Sequence, residues 1–408
     1  MSRNQDNLIV ALDVGSAWTR VLAVEQMDGA LRYRGHGVAA SDGMRKGMIA
    51  ELAPAAKAIE AAIKNAEFTT GVNITECVVG VGGPHIFGLN NSGSVELGGR
   101  MREISHEDVR NAFAQARAIA WPSDRKVVHL LRQQFKLDSF EGICDPVGMV
   151  GKKLEVNLHI STCSGSALQS TVTCANRAGL EVTEAILETV AAAEATLTAD
   201  ERELGVCLLD IGCHSTDLIV FSEGGVVHTA SIPIGGQHFT NDLAIGLELP
   251  IAQAEKLKIM HGHAVVTDVP QDDEIEITTP RPRILRRRAI AEILEPRACE
   301  LLHYVKESLR AAGVESEGLV EKALGGGCVL TGGGALLPGM LYNAESSLRV
   351  QPRFGLPVRL SHLPAELVHP DFAVAVGMIL YAQRTQANRT EESNTIRSKW
   401  RSIFAGNF

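Results

Sequence analysis

Leu12-Asp13-Val14-Gly15-Ser16-Ala17-Trp18-Thr19 and Leu209-Asp210-Ile211-Gly212-Cys213-His214-Ser215-Thr216 are two copies of one pattern, in opposite halves of the chain. Each follows an apolar run (Leu8 to Leu12; Val206 to Leu209) and precedes another (Val21 to Val24; Leu218 to Phe221). Aspartate, glycine and threonine keep the same offsets in both. An apolar run, a tight glycine turn and a second apolar run predict a β-hairpin. A carboxylate at the turn and a glycine two residues on suit a backbone that approaches phosphate closely, with Mg²⁺ between carboxylate and phosphate. One Asp-X-Gly turn alone would merely join two strands. Two with matched flanks would grip one nucleotide from both sides.

A third stretch, Cys328-Val329-Leu330-Thr331-Gly332-Gly333-Gly334-Ala335-Leu336-Leu337-Pro338-Gly339, carries a strand into three glycines and then an apolar segment. Consecutive glycines let backbone approach a flat ring or a phosphate. The three stretches in this order resemble the nucleotide site of the actin, heat-shock chaperone and sugar-kinase superfamily.

Length and composition bound the rest. At 408 residues two or more domains are expected. A hydrophobic share of 45% with 21% charged residues fits a globular protein. The net charge of −9 argues against nucleic acid as a partner, which needs a broad basic face. Cys77, Cys144, Cys163, Cys174, Cys207, Cys213, Cys299 and Cys328 form no Cys-X-X-Cys pair, so neither a disulfide scaffold nor a metal-ligand spacing is expected. The polar start, Met1 to Asn7, shows no signal-peptide pattern. No apolar run approaches the roughly 20 residues that span a bilayer, and a cytoplasmic chain is expected.

Strands and helices alternate, which predicts α/β domains. Helices are expected over Pro54 to Glu67, from the Ser105 cap with its early acids, over Ser166 to Ala178 and over Ile186 to Leu197. Cys77 to Val81, Val127 to Phe135, Leu154 to Ile160 and Val226 to Ile234 read as strands. A helical stripe runs from Ile290 to Leu309, and Pro296 should kink or interrupt it unless it begins a new helix. Ala373 to Leu380 reads as a small-residue helix packed against its counterpart, Thr189 to Glu194.

The end of the chain carries a separate signal. Residues Arg384 to Ser393 lack an apolar period and read as a flexible linker. Beyond them Ile396, Trp400, Ile403, Phe404 and Phe408 fall on one helical face, with Arg397, Lys399 and Arg401 off it and no acid present. Such a helix suits an anionic membrane surface, where the three cations contribute about 3 kcal/mol at roughly 1 each. A terminal helix docked on its own core is the plainer reading.

Nearly the whole chain resembles the FtsA family of bacterial actin homologues, which tether the tubulin-like FtsZ to the inner membrane during cell division. Besides the nucleotide motifs, the resemblance rests on Gly82-Gly83-Pro84-His85-Ile86, on Leu197 to Val206 and on Ala291-Glu292-Ile293-Leu294-Glu295-Pro296-Arg297. It implies a duplicated actin-like ATPase fold, α/β, with an inserted subdomain in each half and a C-terminal amphipathic helix. The implied divisions are subdomain IA at 1–83 and 162–195, IC at 84–161, IIA at 196–225 and 299–383, IIB at 226–298, a linker at 384–393 and the membrane helix at 394–408.

The resemblance also assigns residues. Asp13, Gly15 and Ser16 belong to the first phosphate loop, Asp210, Gly212, Cys213, His214 and Ser215 to the second, and Gly332, Gly333 and Gly334 to the adenosine motif. The cofactors implied are ATP and Mg²⁺, with Asp13 and Asp210 toward the metal, directly or through water. Ala254-Glu255-Lys256-Leu257-Lys258 resembles a helix whose Glu255 and Lys258 contact the ribose; three residues apart, they share a face. The family's second loop is usually Asp-X-Gly-Gly-Gly-Thr. Cys213 and His214 replace two glycines, restrict φ > 0 and occupy room near the phosphates, so weak or absent ATPase activity is expected. Region 226–298, with the basic run Arg281 to Arg288, is the implied contact for the FtsZ C-terminal peptide, since an acidic peptide seeks cations. Region 84–161 would serve self-association into filaments and later division proteins, on the cytoplasmic face of the inner membrane at the division site. A chaperone-type ATPase, a small-molecule kinase and a pilus-assembly protein share the fold. The tail separates the first reading from these.

Overall fold

The computed structural model describes residues 7–27, 29–98, 101–277, 282–314, 319–358 and 360–394. The first apolar runs pair antiparallel as β1 (Leu8–Val14) and β2 (Trp18–Met27), with Asp13 opposite Arg20. β3 (Ala30–Ala40) joins β2, and after α1 (Leu52–Thr70) the strand β4 (Glu76–Val81) lies parallel to β1. Ala55, Ile59, Ala62, Ile63 and Ala66 recur at helical spacing along α1 and are buried in the core that it shares with β1, β2 and β4.

An insertion follows: β5 (Phe87–Glu96), α2 (His106–Arg117), β6 (Arg125–Leu137), β7 (Phe140–Ile143) and β8 (Lys153–Ser164). Its sheet runs β7-β6-β8-β5 and buries its own core against α2. Ser105 caps α2 as expected: its hydroxyl accepts from Asp108 N, while Asp108 accepts from Ser105 N. The chain then returns through α3 (Gly165–Arg177) and β9 (Glu181–Leu187) to complete the sheet β9-β4-β1-β2-β3. Helix α4 (Glu188–Thr196) begins after the Ile186 start expected from sequence. Ile186 and Leu187 instead end β9, paired with Gly80 and Val81. Short apolar runs suit either state, and the parallel partner decides.

The second half repeats the plan. β10 (Val206–Ile211), β11 (Thr216–Ser222) and β12 (Gly225–Ile232) form a meander. The strand expected from Val226 is thus the outer strand of the second sheet. Helices α5 (Gly236–Gly246) and α6 (Ile251–His261), the hairpin β13 (Glu274–Ile277) and β14 (Arg283–Arg286), and α7 (Arg287–Ala311) come next. After β15 (Cys328–Thr331), α8 (Met340–Leu348), β16 (Pro352–Phe354) and α9 (Ala373–Asn394), the sheet order is β12-β11-β10-β15-β16.

Two expectations need correction here. Helix α7 runs unbroken through Pro296. Proline removes one backbone bond at about 3 kcal/mol, but Ile290, Leu294, Leu301, Leu302, Val305 and Leu309 are all buried in one stripe, at roughly 1.5–3 kcal/mol each. Residues 384–393 are no linker, because α9 continues to Asn394. Lengthening an existing helix avoids the nucleation cost; Thr385 is buried with its hydroxyl on Tyr381 O, and Arg384 pairs with Glu194 at 2.8 Å. The amphipathic helix expected beyond Asn394 lies outside the described residues.

Helices α4 and α9 cross between the halves. Ile9 and Leu22 of the first sheet and Leu208 and Ile219 of the second pack into the same core with them. A Cβ at Gly377 would stand 1.7 Å from Ala191 O, so the small residues permit the close crossing that the sequence predicts. Among the described residues, no helix is long and apolar enough to cross a membrane.

Candidate functional site

The β1–β2 and β10–β11 turns face one cavity of about 610 Å³, within the roughly 300–1,000 Å³ range of small-molecule sites. Its wall contains Asp13, Gly15, Ser16, Asp210, Gly212, Cys213, His214, Ser215, Glu255, Lys258, Gly332, Gly333 and Gly334. Every residue that the sequence suggested for a nucleotide therefore lies in one place. β15 runs parallel to β10 and sets Thr331 beside Asp210. Gly332 follows with φ +78, and a Cβ there would lie 2.3 Å from Asp210 Oδ1, so only glycine fits.

The second loop rests on the start of α5: Gly236 N donates to Gly212 O at 2.9 Å and Gln237 N to Cys213 O at 2.8 Å. Cys213 and His214 do not strain it. Neither they nor Gly212 and Ser215 have positive φ, so the expected backbone restriction disappears and only the space they fill remains. Lys258 Nζ donates to Gly236 O at 2.9 Å and lies 2.8 Å from both Thr240 Oγ1 and Glu255 Oε2. Those contacts use its three ammonium hydrogens. Lys258 thus braces the Gly236 turn, and the more exposed Glu255 is the better placed of the two to turn toward a ribose.

Four charged wall residues escaped the sequence reading: Arg20, Glu188, Asp217 and Asp371. Arg20 and Asp217 occupy the same register in the two hairpins, opposite Asp13 and Asp210. Aligning the two copies through their second strands would have found them. Glu188 opens α4 and Asp371 precedes α9, so each crossing helix brings one acid to the cavity. Arg20 lies 3.8 Å from Asp13, 3.4 Å from Asp371 and over the Phe372 ring.

Among the described residues, six carboxylates but only Arg20 and Lys258 as cations line the wall. Burial, opposed by Arg20 and reinforced by Asp371, pushes Asp13 up to about 6. Burial and the neighbouring Asp217, Asp13 and Asp371 push Asp210 up to about 8. Burial holds Asp217 at about 6 and Glu188 well above the usual carboxylate range. The donor set fits a hard divalent cation with oxygen ligands. Among the described residues no three His, Cys, Asp or Glu groups would hold an ion unaided, so a cation there would need further oxygen ligands, which phosphate and water can supply. With glycines where backbone must come close, the site fits ATP and Mg²⁺.

A pH dependence follows from these acids. A carboxyl whose pKa is raised on folding keeps protons that the unfolded chain has lost, so its contribution is full below the unfolded value and falls as pH rises through the folded one. Without nucleotide, the denaturation midpoint should therefore fall between about pH 6.5 and about pH 8, where Asp210, held at about 8, still gives up its proton and the buried His129 and His159, whose lowered values oppose the trend at lower pH, are already neutral in both states. Saturating Mg²⁺ and ATP should flatten that slope. A nucleotide-free midpoint that rises across the window would contradict the buried acid cluster.

The basic run is less available than expected. Arg281 lies outside the described residues, Arg283 donates to Leu247 O, and Arg287 donates to His261 O at 2.9 Å and pairs with Asp273 at 3.1 Å. Arg288 pairs with Glu292 along the helix. Arg286 is exposed.

Two family models match: cell division protein FtsA over residues 207–377, and the SHS2 domain inserted in FTSA over residues 83–162. The chain is 37% identical to the cell division protein FtsA of Pseudomonas aeruginosa, covering 93% of this chain and 90% of that one. Against the same protein of Escherichia coli K12 the identity is 33%, over 94% and 92%. Against that of Bacillus subtilis it is 34%, over 93% and 84%. Among solved structures, a PilM–PilN type IV pilus biogenesis complex has a TM-score of 0.64 at 18% identity, covering 91% of this chain and 97% of that one. Spiroplasma citri MreB5 bound to AMPPNP has a TM-score of 0.56 at 14% identity, covering 95% and 99%. The fold is the duplicated actin-like one, carrying an SHS2 insertion in its first half.

Proposed function

The chain belongs to the FtsA family of cell division proteins, and on that premise we propose that it is an ATP-binding, actin-like tether that anchors FtsZ filaments to the inner membrane. The observation that carries the reading is the convergence of both Asp-X-Gly hairpins and the Gly332 turn on one cavity. Asp13 and Asp210 would hold the cation, directly or through water, and Arg20 fixes Asp13 from the other side. Mg²⁺, when bound, supplies the positive charge that lets a polyphosphate sit among six carboxylates. Glu255, supported by Lys258, faces the ribose. Glu188 opens α4 beside the acids and is the side chain placed to hold a proton or orient a water. Turnover is slow or absent, because Cys213 and His214 fill space that glycine would leave open beside the phosphates.

Ile245, Ile251 and Ile284 are exposed on the 226–298 region together with Arg286, which suits an amphipathic acidic peptide such as the FtsZ C-terminus. Arg283 and Arg287 brace the hairpin there and are poor choices for charge reversal. The 84–161 insertion, with a core of its own, supplies the surface for filament contacts and later division proteins.

Flotation with anionic vesicles tests the tether, comparing the full chain with one ending at Asn394. Truncation there leaves α9 whole, whereas an earlier end would cut into it. Only the full chain should float. Equal flotation of both, or of neither, would refute membrane anchoring by the 395–408 tail.

A further inference from the structure

We propose that, away from a membrane, the 395–408 tail folds back beside α9 and seats its last apolar side chains on an exposed ridge formed by Phe354, Leu356 and Val358. The proposal rests on the tether reading above and deepens it to what the tail does before it meets lipid. The ridge comes from the second sheet, whose outer strand is β16. Phe354, Leu356 and Val358 are 38%, 49% and 48% exposed, while Gly355 and Pro357 between them are buried. That alternation is the period of two of extended backbone, and it sets three large apolar side chains on one side. Pro352 and Pro357 carry no N–H, so this edge is poorly equipped to pair with a strand of a second copy.

The ridge lies where α9 leaves the body of the protein. Arg353 donates to Thr196 O at 2.7 Å and Val358 N to Ala195 O at 2.9 Å, so the segment follows the C-terminal end of α4. Arg384 of α9 pairs with Glu194, the residue before Ala195. Val358 and Arg384 therefore flank the same turn of α4. From Arg384, α9 continues ten residues to Asn394, and fourteen more follow to Phe408. Helices share one rise per residue, so a tail helix running antiparallel to α9 regains the level of Arg384, about 15 Å back, after ten residues. Ile403, Phe404 and Phe408 then pass the ridge with their apolar face toward it. Anionic lipid gains little from the ridge itself, because Arg353 and Arg384 are already paired with Glu201 and Glu194, and Asp200 is exposed on the same short helix as Glu201. Ridge and membrane thus compete for one apolar face, and the membrane also offers anions to Arg397, Lys399 and Arg401. A tail seated about nine-tenths of the time binds lipid about ten times more weakly than an unseated one.

The double variant Leu356→Ser with Val358→Ser tests this in the full chain, since neither change alters charge at the membrane. Without lipid, trypsin should release the tail at Arg397, Lys399 and Arg401 about tenfold faster from this variant than from the native chain, because cleavage follows the unseated population. Phe404→Ser, which leaves the body of the protein untouched, should be cleaved as fast and keeps the test open should the ridge variant not fold. On vesicles of phosphatidylglycerol and phosphatidylcholine the ridge variant should bind about tenfold more tightly than the native chain. Equal cleavage of native and variant chains would overturn the proposal. So would weaker vesicle binding by the ridge variant, which would make the ridge a lipid contact, or protection that grows with protein concentration, which would make the occupant a second copy. A protected tail in a chain that binds no vesicles, with or without the ridge, would overturn the tether reading and leave the seated tail standing. An unprotected tail in a chain that floats would overturn the seated tail alone.

Discussion

Replacing Gly377 with alanine should destabilise the protein by roughly 2–3 kcal/mol, the cost of overpacking a closed contact. The added Cβ would stand 1.7 Å from Ala191 O and 2.3 Å from its carbonyl carbon. Both are backbone atoms, so no side chain can rotate away, and α4 and α9 must separate. The opposing term is helix propensity, which favours alanine over glycine by about 1 kcal/mol. Because sterics outweigh propensity, the sign of the change is itself diagnostic. The damage should also reach the cavity: Glu188 opens the displaced helix, and nucleotide affinity should fall with stability. Chemical denaturation of the purified variant, paired with an ATP titration, checks both. A more stable alanine variant would mean that the helices do not cross as closely as described.

Asp210→Asn should move two measurements in opposite directions. It replaces an ionisable group of the acid cluster with a neutral one while keeping the shape of the side chain. Burial and the surrounding carboxylates hold Asp210 at about 8, so its ionised form is an electrostatic burden on the nucleotide-free protein. Each unit of such a shift is about 1.4 kcal/mol, and the melting temperature without nucleotide should rise. The same change removes a negative group from the cation's surroundings. Affinity for ATP with Mg²⁺ should fall on the order of 10–100-fold, and the dependence of binding on Mg²⁺ should weaken. Differential scanning calorimetry and titration calorimetry read the two effects separately. A variant that loses stability and keeps its nucleotide affinity would place the metal elsewhere.

Much of this was legible before the fold was known. The paired Asp-X-Gly stretches, the triple glycine and the two small-residue helices are local patterns whose chemistry depends on spacing within a few residues, and spacing survives in a sequence. Their duplication fixed the two-half architecture, and the resemblance that they carry with the flanking motifs identified the family. The gaps came from pairings that no local pattern records. Ile186 and Leu187 read as helix until β4 claims them, and residues 384–393 read as linker until α9 extends through them. Pro296 breaks a helix in isolation but not one anchored by a buried stripe. The basic run looked like a free face, yet Arg283 and Arg287 are spent on backbone carbonyls and Asp273.

By itself, then, the sequence determined that two matched Asp-X-Gly hairpins and a triple-glycine turn are present and which residues form them. Only the tertiary structure decided that they share one cavity with Arg20, Glu188, Asp217 and Asp371. Burial and mutual repulsion among acids brought from opposite ends of the chain set their protonation. Those forces act through space over a few ångströms, whatever the separation along the chain.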